Sequence, residues 1–183
     1  DPDAFLISNN DVEATPSVID ELVKVMLLDV NIGFVTGKVY YSSLQGSTNF
    51  LQTVGMERNS ISIVGRHIGN GEFDEGQYDK IREVAWYTFG GIFIRRDVLN
   101  TIGDFDPEYE WSYNRDVDYC LQIREKGWKI YQGATRIMHL QSQDNKRVST
   151  PQNREAEARN RERVKKKWKD TKYWKTLNRK IDE

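Results

Sequence analysis

The sequence has a single cysteine, Cys120, in 183 residues. That excludes an internal disulfide and a zinc site built from several cysteines. Cys120 falls on the apolar side of a helical pattern, so it reads as a buried thiol rather than a nucleophile. Net charge is also nearly absent, because 27 Lys and Arg stand against 28 Asp and Glu. The chain as a whole therefore has no strong polyelectrolyte character. No apolar run approaches the roughly 20 residues of a membrane-spanning helix. No leader pattern is read at the start, and a cytoplasmic setting is the expectation.

What charge there is lies unevenly. Residues 154–180 carry 12 basic and 4 acidic side chains, leaving 15 basic and 24 acidic elsewhere, so the body stands at −9 and this segment at +8. Chain length suits one domain with a real core. The expected division is a globular part over 1–150 and a basic helix and tail over 151–183. In that tail Trp168, Tyr173 and Trp174 sit among lysines. Such a segment suits single-stranded nucleic acid, an anionic membrane surface, or a solvated helix packed back through its aromatics.

Phe5, Leu6 and Ile7 form a continuous apolar run, the pattern of a central, mostly parallel strand covered on both faces. Such a strand needs neighbours, so earlier βα units are expected upstream. The polar turn Asn9-Asn-Asp11 follows, at the end of a strand where α/β sheets bind ligands. An Asp flanked by short amides there suits a hard divalent cation that keeps waters and shares phosphates. An ordinary strand-to-helix turn reads equally well. Thr15-Pro16 then opens a helix to about Asp29. Residues 33–41 read as a strand, and residues 42–64 are left open by their periodicity.

Gly65 to Asp79 is a long Gly-rich polar loop without a nucleotide-phosphate fingerprint. His67 within it reads as a loop histidine. Glu83 to Arg95 reads as a strand broken by Gly90 and Gly91, which implies close backbone approach of a ligand or of another element. A short helix over Arg96 to Ile102 should end at Gly103. The following Asp104-x-Asp106-x-Glu108 lacks the glycine and the bidentate Glu of a calcium loop. Asp116 stands where a helix N-cap belongs, with Val117, Cys120 and Leu121 on the buried face of a helix ending at Gly127. Trp128–Tyr131 and Ala134–Leu140 read as two short strands, the second ending at His139. A charged helix runs from Gln152 to about Trp168.

Taken in order, these stretches resemble the inverting glycosyltransferases of family 2, and most closely their bacterial rhamnosyltransferase-like branch. Phe5-Leu-Ile-Ser-Asn-Asn-Asp-Val-Glu13 looks like the strand with its DxD-type element. Gly69-Asn-Gly-Glu-Phe-Asp-Glu-Gly-Gln-Tyr-Asp79 resembles the loop of that branch, and Phe89-Gly-Gly-Ile-Phe-Ile-Arg-Arg96 the acceptor strand. Ile102-Gly-Asp-Phe-Asp-Pro-Glu-Tyr109 and Arg115-Asp-Val-Asp-Tyr-Cys-Leu121 are similar to the elements around the base. His139 and Lys167-Trp168 match the late histidine and the Lys-Trp of the last helix.

The resemblance implies an α/β fold: a partial GT-A, Rossmann-like mixed sheet flanked by helices, whose N-terminal nucleotide-binding half has no counterpart here. It implies inverting transfer of a hexosyl or rhamnosyl group from a nucleotide-diphosphate sugar to a saccharide or lipid-linked acceptor, as in polysaccharide biosynthesis. Asp116 would be the general base. Asp11 would hold Mn2+ or Mg2+, with His139 close to metal and diphosphate, and Asn9 and Asn10 would face the donor. Gly90, Gly91, Trp111, Tyr113 and Arg115 would face the acceptor. Nucleic acid is not an expected partner, whereas peripheral membrane contact through the basic tail is.

Arg115 departs from the pattern, since the family has an acidic residue immediately before the base. Pairing with Asp116 or Asp118 would lower the base's pKa, and contact with a charged acceptor is the other use. The competing reading is a non-catalytic module that binds a glycan or a protein on the same half-fold.

Overall fold

The structure is a computed structural model and describes residues 2–44, 46–57, 65–110, 114–140 and 150–176. Along the chain these form β1 (Ala4–Ile7), β2 (Val12–Ala14), α1 (Val18–Met26), β3 (Ile32–Tyr41), β4 (Leu51–Thr53) and β5 (Met56–Glu57). Then come β6 (Arg66–His67), β7 (Arg82–Glu83), β8 (Ile92–Arg95), α2 (Arg96–Ile102), α3 (Arg115–Glu125), β9 (Lys129–His139) and α4 (Pro151–Trp168). The main sheet runs β1-β8-β3-β9-β2, with β4 beside β3 and β7 beside β9. β3 and β9 are parallel, and the other pairings in this sheet are antiparallel. A mixed sheet flanked by helices is what the sequence led us to expect.

β3 takes the centre because its side chains tolerate burial on both faces. Ile32, Phe34, Val35, Val39 and Tyr40 are all in the core. Its buried polar groups are satisfied: the Thr36 hydroxyl donates to the Gly91 carbonyl at 2.7 Å. α1 covers one face through Leu22, Val25 and Met26, and α3 contributes Val117, Cys120, Leu121 and Ile123. Side chains such as Phe34, Leu22 and Leu121, at 0% exposure, each contribute about 2 kcal/mol by leaving water. α4 joins the same core through Val164 and Trp168, followed by Trp174. Thr150 caps α4 by accepting from the Asn153 N–H at 3.2 Å, ahead of Pro151 in the first turn.

Lys38 on β3 explains why the Gly-rich loop is ordered. Its ammonium reaches Asp74 and Asp79, each at 2.6 Å, and the Tyr40 hydroxyl also donates to Asp74. Burial opposes the charge on Lys38, yet the two carboxylates hold its pKa above the ordinary value. Burial likewise opposes ionisation of Asp74, and the hydrogen bonds from Lys38 and Tyr40 overcome it, lowering its pKa.

Several local expectations change. β1 is not central: it lies at the margin, pairs only with β8 among the described strands, and runs antiparallel to it. Phe5 is 37% and Leu6 47% exposed. An apolar run reports tolerance of burial, whereas strand order is set here by β8 inserting between β1 and β3. The two strands expected after Trp128 are one, β9, continuous through Gly133, where a Cβ would lie 3.1 Å from Val25 of α1. In the 83–95 stretch the strand proper begins only after Gly91, whose φ of +139° breaks the run. α1 starts at Val18 rather than at Pro16, with Ser17 before it. α2 spans Arg96–Ile102 and ends at Gly103, φ +80°, as the sequence indicated.

Candidate active-site cleft

β2 and the end of β9 bring two distant residues together. Val12 registers opposite His139, and the Leu140 N–H donates to the Asp11 carbonyl at 2.8 Å. This pairing sets the Asp11 carboxylate 3.2 Å from His139 Nε2, with both side chains 20% exposed. His139 Nδ1 lies 2.9 Å from Gln52 Oε1 on β4. The imidazole is thus held between two side chains, with Nδ1 toward Gln52 and Nε2 toward the Asp11 carboxylate.

α3 supplies the second half of the site. Its N-cap is Asn114, in the left-handed conformation at φ 61°, so Asp116 is inside the first turn rather than at the cap. The cap expected at Asp116 is displaced because Asn114 can adopt the left-handed turn that admits the helix. Asp116 instead accepts from the Val117 N–H at 2.9 Å. Val117, Cys120 and Leu121 are buried behind it, as their spacing indicated. Burial pushes the Asp116 carboxyl up to about 6, against the lowering influence of nearby N–H groups and of Arg115. Arg115 does lower the Asp116 pKa, as expected from the sequence, but desolvation outweighs the neighbouring charge. Arg115 itself lies over the Phe105 ring, 5.4 Å from its centroid. Phe105 packs on Phe89 and Tyr119, with centroids 5.0 and 4.4 Å away. This aromatic wedge holds the start of α3 against the sheet.

Between the two halves lies a cleft of about 340 Å³ lined by Asn9, Gln52, His67, Thr88, Phe89, Gly90, Arg115, Asp116 and His139. Five of the residues singled out from the sequence thus meet at one void, with Asp11 adjoining it through His139. Asn10 is exposed in the β1–β2 turn and does not line the cleft. Gly91 stands behind the wall. Its carbonyl accepts from Thr36, and a Cβ there would lie 3.3 Å from Ile137. The close approach inferred at the glycine pair is therefore another strand at Gly91 and the cleft at Gly90. Trp111 and Tyr113 lie outside the described residues.

Four lining residues carried no assignment from sequence. Gln52 falls in the stretch whose periodicity is silent, and Thr88 and Phe89 read only as strand. His67, read as a loop histidine, is on β6 opposite Met56 and faces the cleft. Its Nδ1 is buried without a hydrogen-bond partner among the described residues, and burial lowers its pKa. That keeps its imidazole neutral near pH 7.

Among the described residues no group of three or more His, Cys, Asp or Glu gathers as a complete metal cage. The Asp11–His139 pair nonetheless fits a divalent cation of the Mg2+ or Mn2+ type. The two donors are close enough to bind one ion side by side. Gln52 holds the imidazole as an outer-shell partner does, and such ions take their remaining ligands from water and substrate phosphates.

No protein-family model matches the sequence, and no curated protein matches it. Among solved structures the chain is similar to GalNAc-T7, a glycosyltransferase of the GT-A fold, in its complex with UDP, GalNAc and Mn2+. The identity is 15% and the TM-score 0.65, over 93% of this chain and 32% of that one. The chain thus spans about a third of that neighbour's length. At this identity the likeness concerns architecture: the chain has a GT-A-like fold.

Proposed function

We propose that the protein transfers a sugar, of the hexosyl or rhamnosyl type, from a nucleotide-diphosphate sugar to an acceptor hydroxyl with inversion, as a member of the family 2 glycosyltransferases. The acceptor is a saccharide or a lipid-linked saccharide. The observation that carries this reading is the cleft itself. It gathers Asn9, Gly90, Arg115, Asp116 and His139 from both ends of the chain around one void. The GT-A-like fold supports the same reading.

The chemistry divides between the two halves. Asp116, with its carboxyl at about 6, is ionised near pH 7 and still basic enough to accept a proton. As the acceptor oxygen bonds the anomeric carbon, its proton passes to Asp116 and the bond to the diphosphate oxygen breaks. Asp11 and His139 would hold a divalent cation, which would supply positive charge beside the leaving diphosphate. Arg115 adds a fixed positive charge to the same cleft. Asn9 offers its amide group to the donor, and Gly90 leaves room for the acceptor.

A non-catalytic glycan- or protein-binding module is the second reading, favoured by Arg115 in a position where the resembling family has an acid. Release of nucleoside diphosphate from a panel of nucleotide sugars, measured on the intact protein, separates the two. Asp116→Asn should lower turnover by at least about 100-fold while donor affinity stays within about twofold. Normal turnover in this variant refutes the base assignment. Binding with no turnover of any donor by the unmodified protein supports the module.

A further inference from the structure

The charges of the last helix sort into two groups. Over residues 159–163 the arginines are matched: Arg159 pairs with Glu110 at 2.8 Å, Arg161 with Glu157 at 2.5 Å, and Arg163 with Glu108 at 3.0 Å. Residues 163–175 carry seven cations against one acid, Asp170. Lys167 turns inward to Asp118 at 2.9 Å. The other five, Lys165, Lys166, Lys169, Lys172 and Lys175, are exposed, and none forms an ion pair with a described residue. Lys165 and Lys169 stand four apart at the end of α4, which places them on one side of it, and Lys172 and Lys175 lie in the short helical turn that follows Thr171.

We propose that this lysine strip is a docking surface for an anionic phospholipid membrane. The aromatics interleaved with the lysines decide against single-stranded nucleic acid. Trp168 and Trp174 are 6% and 2% exposed and belong to the core, and Tyr173 packs against it. Among the described residues of this segment no exposed aromatic stacking platform is left for bases. The type of cation decides against a discrete phosphate pocket. The one arginine of the stretch, Arg163, is held by Glu108, and lysines act as separate point charges rather than as bidentate forks. The open groove of about 990 Å³ that Lys165, Lys166 and Lys169 help to line also has Glu108, Glu110 and Glu162 in its lining, which an isolated anion would avoid. A diffuse negative surface needs no fixed geometry, and it suits exposed lysines spread over residues 165–175. Among the described residues no helix is long and apolar enough to cross a membrane, so contact would be adsorption, driven by charge and sensitive to salt. The acidic body, at −9 overall, would face away from such a surface.

Co-sedimentation of the 183-residue chain with phosphatidylglycerol–phosphatidylcholine vesicles tests this, against phosphatidylcholine vesicles alone and against a single-stranded oligonucleotide. Each juxtamembrane lysine changes partitioning about fivefold, so Lys165→Gln, Lys166→Gln and Lys169→Gln together should weaken vesicle binding on the order of a hundredfold. These sites are exposed on a helix, and circular dichroism should show an unchanged fold. Salt-sensitive binding to the anionic vesicles alone, lost in the triple variant, is the expected result. No binding at low salt, binding indifferent to the three substitutions, or tighter binding to the oligonucleotide would each overturn the proposal. None of these readouts depends on sugar transfer.

Discussion

The Trp168 indole donates to the Asp118 carboxylate at 2.7 Å, tying α4 to α3 two residues beyond the proposed base. Lys167 at 2.9 Å and Gln122 at 2.8 Å complete the shell of this carboxylate, which is 1% exposed. One carboxylate of the Asp-x-Asp pair thus faces the cleft and the other is a structural anchor. Trp168→Phe removes a donor from a buried carboxylate and should cost about 1–3 kcal/mol, read as a shifted midpoint in urea denaturation. A midpoint unchanged from the parent would show that the indole hydrogen bond contributes nothing.

Asp116 sets the pH dependence of transfer. Its folded pKa is raised to about 6, and a base must be ionised to act, so kcat/KM should rise with pH through an apparent pKa near that value. Arg115 favours the ionised form. Arg115→Ala should therefore move this acid limb to higher pH, whereas Arg115→Lys should largely restore it. A limb that moves to lower pH in Arg115→Ala contradicts the electrostatic assignment.

Cation binding should depend on both halves of the Asp11–His139 pair and on the residue that orients it. Asp11→Ala and His139→Ala should abolish calorimetric binding of Mn2+ in the presence of nucleoside diphosphate. Gln52→Ala should weaken it by about 10–100-fold, because the imidazole loses the partner 2.9 Å from Nδ1. Mn2+ affinity preserved in His139→Ala would remove the histidine from the site.

Lys38→Met should destabilise the protein by about 3–5 kcal/mol, since it leaves Asp74 buried without its cation. Hydrogen exchange should accelerate first across residues 69–79, the loop that Lys38 holds through Asp74 and Asp79. The pKa of Asp74 is lowered in the fold. Its stabilising share is thus present above the ordinary carboxylate range and is lost as pH falls through the folded value. In Lys38→Met this acid-side loss should shrink. Unchanged exchange in the loop would show that its order does not depend on Lys38.

Much of the architecture was legible from residues close together in the chain. The limits of α2 followed from Gly103, the buried face of α3 from Val117, Cys120 and Leu121, and the run of α4 from its period up to Trp168. Asp11, Asp116 and His139 were selected by their match, in order along the chain, to the motifs of the resembling family. These signals are local, because capping, periodicity and turn preference act within a few residues. Only the tertiary structure decided that β1 lies at the margin of the sheet, that Gln52 and His67 enter the cleft, and that Asp118 holds Trp168. It also added the burial that raises the Asp116 pKa against the lowering influence of Arg115. Each of these depends on contacts between residues far apart in sequence or on how much water the packed chain excludes, and no neighbouring residue encodes either.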